Sequence, residues 1–115
     1  MIIYIAGPYR SRWGKIGIFL NILKARKAAR KVWAAGHVAV CPHMNSAFFD
    51  GICPDEYFLD GYIDIVNRCD CLLALKGWEG SRGTVDEMHY AYKWSMPIIY
   101  IDELNEFLQG GFCEE

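Results

Sequence analysis

The chain has 115 residues, 53% of them hydrophobic and 23% charged, with a formal net charge of −2. That length and composition suit one globular domain over residues 1–115 with one core. The balance, with no basic tail or stripe, excludes nucleic acid as the main partner, because a phosphate backbone demands clustered Lys and Arg.

The predicted elements alternate. Ile2 to Ala6 is a short apolar strand ending at Gly7-Pro8. This start is too short and uncharged for a signal peptide, and no apolar run is long enough to span a bilayer, so a cytoplasmic protein without a membrane partner is expected. Phe19 to Ala35 carries Ile22, Ala25, Ala29, Val32 and Trp33 at a helical period, with Gly36 as its stop. Its basic stretch, Lys24 to Lys31, reads as a solvated face. His37 to Cys41 is a second strand, and Pro42 to Pro54, with Gly, Asn and Asp scattered through it, is a loop. A helix starts near Asp55 with an apolar face of Leu59, Tyr62, Ile63 and Val66. Asp70 precedes a third strand, Cys71 to Leu75. A glycine-rich turn, Gly77 to Gly83, leads into a helix from Val85 to Trp94. Pro97 to Ile101 is a fourth strand, and Glu103 to Leu108 a short last helix ended by Gly110-Gly111.

Strands alternating with helices imply an α/β domain whose parallel sheet is covered on both faces. The expected architecture is a flavodoxin-like three-layer fold with four to five strands in the order 2-1-3-4. Ligands of such sheets bind beyond the carboxyl ends of the strands, between strands 1 and 3. Three segments meet there: Gly7 to Trp13, Pro42 to Pro54, and the Gly77 to Gly83 turn. They bring Arg10 and Ser11; His43, Asn45 and Asp50; and Ser81, Arg82 and Glu87. The five cysteines, Cys41, Cys53, Cys69, Cys71 and Cys113, are odd in number and match no zinc spacing. They are expected as small buried hydrophobes, and no metal or organic cofactor is implied.

Glu87 is the most informative residue. Glycines and Ser81 lie where a buried strand turns into a helix, a junction that presents backbone N–H groups and the positive helix end. A carboxylate one turn further on would point at whatever is bound. Thr84-Val85-Asp86-Glu87 also fits a T-x-x-E capping box, in which the glutamate bonds back to the cap, and Ser81 is an equal candidate for that cap. Trp78 either covers the core or stacks on a base. His89 falls on a different helix face from Glu87 and reads as structural.

Ile3-Tyr4-Ile5-Ala6-Gly7-Pro8, Asp70 before a strand, and Gly77-Trp78-Glu79-x-Ser81-x-Gly83-x-x-x-Glu87 followed by Ala91 together resemble the nucleoside 2-deoxyribosyltransferase superfamily. The similarity is to its small microbial and phage branch, related to the 2′-deoxynucleoside 5′-monophosphate N-glycosidases. It runs over nearly the whole chain. The resemblance implies Glu87 as nucleophile, Tyr4 as the tyrosine beside it, and Gly7 as a close approach of backbone to ligand. Arg10 matches a position that holds a 5′-phosphate, and Ser81 one where the glycosidases carry serine and the transferases aspartate, which implies a nucleotide over a bare nucleoside. Gly83, Trp78 and His43 complete the expected substrate-binding set.

The implied function is cleavage or transfer of an N-glycosidic bond in a (deoxy)nucleoside or nucleoside 5′-monophosphate, with a homodimer expected. A carboxylate below the sugar ring stabilises or captures the oxocarbenium-like centre, and a second acid helps the base leave. The superfamily usually has an aspartate where this chain has Tyr62. Asp60, nearer the ligand edge, is the candidate general acid, against a reading as a solvent-facing helix residue; Asp64 lies one turn further away. Relatives often complete a neighbour's site from a C-terminal extension, for which this chain offers only Asn105 and Gln109 as polar amides. The alternative function is a nucleotide-binding or sensing module of the same fold without turnover. A structural interaction protein is a third reading.

Overall fold

The computed structural model describes residues 1–111. The chain runs β1 (Ile2–Ala6), α1 (Gly14–Ala34), β2 (Val38–Val40), α2 (Pro42–Asn45), α3 (Asp55–Val66), β3 (Cys71–Ala74), α4 (Arg82–Lys93), β4 (Ile98–Tyr100) and α5 (Leu104–Glu106). The described residues form one four-stranded sheet in the order β2-β1-β3-β4, and every pairing is parallel. The expected 2-1-3-4 topology is therefore present, and the fold is flavodoxin-like.

Two apolar layers sandwich the sheet, because alternate strand residues point to opposite faces. Ile3, Ile5, Cys71 and Leu73 pack with Ala25, Ala28, Ala29 and Val32 of α1 and Leu104 of α5. Tyr4, Ala6, Leu72 and Ala74 pack with Val66 of α3 and with Met88 and Ala91 of α4. The alanines of α1 let that long helix lie close on the strands. Asp70 closes the strand edge by accepting the Ile2 N–H at 2.6 Å.

Several boundaries differ from the sequence reading. The first long helix begins at Gly14, not Phe19. Gly14 opens it at φ 66, a left-handed conformation that glycine adopts without strain. Local contacts fix the entry: Ser11 Oγ accepts the Trp13 N–H, and the Ser11 side chain fills the space that a Cβ on Gly17 would need. The second strand has three residues, narrower than His37 to Cys41, and the fourth narrows to Ile98–Tyr100. The expected Pro42 to Pro54 loop opens with the short helix α2, for which Pro42 supplies a preset φ. The last helix is broken into a 3-10 turn (Ile101–Glu103), the single α-turn of α5 and a π-turn (Phe107–Gly111). Cys113 lies outside the described residues.

Candidate active site

A cavity of about 410 Å³ opens at the carboxyl edge of the sheet. Its walls come from the loop after β1 (Gly7, Pro8, Tyr9, Arg10), from α2 and the loop that follows it, from one face of α3, and from the start of α4. Glu87, Gly7, Arg10, His43, Ser81 and Gly83 all line it. Tyr4 stands directly behind it.

α4 starts at Arg82, three residues before the expected Val85, because Ser81 is the N-cap. Its Oγ accepts the Thr84 N–H at 3.3 Å and the Thr84 hydroxyl at 2.9 Å. Thr84 is thus inside the helix, and no capping box ties up Glu87. The Glu87 carboxyl is instead turned inward, 9% exposed, and accepts the Tyr4 hydroxyl at 2.6 Å. Burial raises the Glu87 carboxyl from 4.5 to about 7, while the Tyr4 hydrogen bond pulls it back down. Tyr4 is fully buried, and burial followed by the Glu87 charge pushes its phenol far above the ordinary value. Tyr4 is therefore a fixed donor and Glu87 a carboxylate poised near neutrality.

His43 is 3% exposed, and its Nε2 lies 2.8 Å from the Pro8 carbonyl. Burial lowers its pKa below 6.5, so the ring is neutral at physiological pH and its Nε2–H donates to Pro8. Gly7 is required by packing as well as by the cavity: a Cβ there would stand 2.7 Å from Leu75 Cβ. A Cβ on Gly83 would meet only Leu59, at 4.0 Å, so that glycine keeps cavity space open and relieves no clash.

Arg10 is not a free cation. Its guanidinium bonds Asp50 at 2.8 Å and Asp55 at 3.3 Å, two carboxylates that also line the cavity. The loop carrying Asp50 is tied a second time, where the Phe48 N–H donates to the Tyr9 hydroxyl at 2.6 Å. Phe48 sits at φ 59, a left-handed conformation that costs a bulky residue about 1–3 kcal/mol and persists only where its surroundings impose it.

The structure leaves two expected site residues outside. Asp60 is exposed and does not line the cavity. The cavity face of α3 is Asp55, Phe58, Leu59 and Tyr62, an i, i+3, i+4, i+7 set, and Asp60 points roughly 160° away from Tyr62 on a helix of about 3.6 residues per turn. Asp64 is exposed as well. Trp78 is partly buried against the second apolar layer and tilts onto Tyr100 at 5.8 Å, away from the cavity wall. The sequence reading missed Tyr9, Ser46 and Asp55 as wall residues. For Asp55 the signal was available, since it shares a helical stripe with Leu59 and Tyr62.

The geometry defines an α/β sheet with a buried carboxylate at its ligand edge, and comparison with known proteins agrees on the fold. A solved 2-deoxyribosyltransferase from the psychrotolerant bacterium Bacillus psychrosaccharolyticus, described as a biocatalyst for the synthesis of antiviral and antitumoral nucleosides, superposes with a TM-score of 0.62. It is 16% identical, over 87% of this chain and 71% of that one, and so shows a shared fold. Residues 1–100 match the family described as "Domain of unknown function (DUF4406)", and the chain belongs to that family. No curated protein matches the sequence.

Proposed function

We propose that the protein cleaves or transfers the N-glycosidic bond of a (deoxy)nucleoside, with Glu87 as nucleophile. The observation that carries this reading is the buried Glu87–Tyr4 pair at the cavity wall, on a fold shared with a solved 2-deoxyribosyltransferase. Tyr4 holds Oε2 and leaves the other oxygen for C1′ of the sugar. That oxygen forms a bond to C1′ as the C1′–N bond breaks, and the electron pair leaves with the base, which takes a proton from solvent. Water, or the ring nitrogen of a second base, then displaces Glu87 from C1′ and regenerates the carboxylate. The step needs Glu87 ionised, which a pKa of about 7 supplies for roughly half the molecules at neutrality.

Gly83 leaves room beside the N-terminus of α4, and Arg10 and Ser81 line the same space. The compensated charge of Arg10 favours an uncharged nucleoside over its 5′-monophosphate. Asp60 has no part in the reading. A homodimer is supported by the outer face of α1, where Ile16 is 74% exposed and Phe19 and Leu20 each 52%; sedimentation of the purified chain tests it.

Base release from a panel of nucleosides and 5′-monophosphates, by wild type and Glu87→Ala in parallel, tests the chemistry. Release that vanishes in the variant supports it. Binding without release from any compound would point instead to a nucleotide-binding or sensing module.

A further inference from the structure

Tyr62 lies on the cavity face of α3, and its hydroxyl meets two side chains from the segment after β2. Asn45 Nδ2 donates to it at 3.1 Å, and Ser46 Oγ lies 2.5 Å away, where either oxygen can be the donor. A phenol has one proton to give, and its oxygen accepts. When Ser46 donates, both neighbours point their hydrogens at the Tyr62 oxygen, and the phenol proton is released to the cavity. When the cavity offers no acceptor, Ser46 rotates and its Oγ accepts the hydrogen bond of the phenol. The Tyr62 proton has an acceptor in either state, the cavity ligand or Ser46 Oγ, so the exchange is inexpensive.

Phe49 and Phe58 also line the cavity. Flat aromatic walls suit a heterocycle better than a sugar, whose hydroxyls need polar partners. We propose that Tyr62 recognises the leaving base: its hydroxyl donates a hydrogen bond to a ring nitrogen or carbonyl oxygen of the heterocycle, and Ser46 turns over to donate in its place. The inference rests on the nucleoside reading above. It makes the wall at this point a reader of acceptors. Because negative charge grows on the departing base, the bond strengthens toward the transition state and acts on kcat beyond its effect on binding.

The test measures binding by calorimetry and turnover by base release for wild type, Tyr62→Phe and Ser46→Ala. The probes are 2′-deoxyadenosine with its monodeaza analogues, and thymidine with analogues lacking one carbonyl oxygen. In wild type, removal of one particular acceptor should weaken binding about tenfold, the worth of one hydrogen bond. Tyr62→Phe should bind that analogue and its parent alike, and lose more in kcat than it gains in KM. Ser46→Ala should keep the discrimination, because the phenol remains. Equal discrimination in wild type and Tyr62→Phe, or none in wild type, overturns the proposal and leaves the nucleoside reading standing. Failure of wild type to bind either parent, or any other nucleoside of the panel above, overturns both.

Discussion

Glu87→Gln separates the chemistry of the carboxylate from its effect on the fold. Burial raises the Glu87 carboxyl from 4.5 to about 7. At about 1.4 kcal/mol per unit, the fold carries the ionised form at a cost of about 3 kcal/mol. The folded chain binds this proton more tightly than the unfolded one. The contribution of Glu87 to stability is therefore fully present below about 4.5 and is lost as pH rises through about 7. Glutamine has nearly the same shape, still accepts the Tyr4 hydroxyl, and never ionises. The variant should match wild type near pH 4 and exceed it by up to about 3 kcal/mol well above pH 7, while base release falls about a thousandfold or more. Urea denaturation across this pH range, read as midpoint at constant m value, measures the first effect. A stability difference that does not change with pH, or a glutamine variant less stable than wild type above pH 7, would refute the burial argument. Base release retained by the variant would refute the nucleophile.

Base release by wild type should climb with pH through about 7 as Glu87 ionises, and Tyr4→Phe should move that limb to higher pH, because the lost hydrogen bond is the interaction that lowers the Glu87 pKa; a pH–rate profile of kcat/KM reads both. Gly7→Ala should cost about 1–3 kcal/mol, since a Cβ would stand 2.7 Å from Leu75 Cβ, and a denaturation midpoint equal to wild type would contradict the packing role. Asp50→Asn with Asp55→Asn should free Arg10 and improve binding of a 5′-monophosphate relative to its nucleoside by about fivefold, the scale of exposed ion pairs. An unchanged ratio in calorimetry would show that Arg10 does not face the phosphate position.

Topology was legible because it depends on what repeats. The apolar strands and intervening helical periods dictate a parallel sheet, and handedness then allows few orders. Boundaries were less so, because single turn and cap contacts decide them. α1 starts at Gly14, whose left-handed φ of 66 marks the entry, and Ser11 fills the space over Gly17; apolar periodicity beginning at Phe19 carries neither signal. At the site, Glu87 was readable from its place after a glycine-rich turn, but its rival as a cap could be removed only by seeing Ser81 bond the Thr84 N–H. Asp60 lies off the cavity wall, because nearness along the chain to the ligand edge is not nearness in space. The helical stripe of Asp55, Leu59 and Tyr62 selects the facing residues, and Asp60 falls off it. The ties of Arg10 to Asp50 and Asp55 join segments some forty residues apart, a pairing that no local pattern encodes.

Stability does not account for a carboxylate at position 87. Its neighbours in the layer, Met88, Ala91 and Val66, are apolar, and Tyr4 would pack there without its hydroxyl as well as with it. An apolar residue in place of Glu87, with phenylalanine in place of Tyr4, removes two buried polar groups together and leaves neither unpaired, a change that is often neutral or stabilising. The chain instead holds an acid at a cost of about 3 kcal/mol when ionised, backs it with a phenol that donates to one oxygen, and opens the other side to a cavity. A carboxyl group held at a cost in stability, at the edge where parallel sheets bind their ligands, is what the proposed glycosidic chemistry requires.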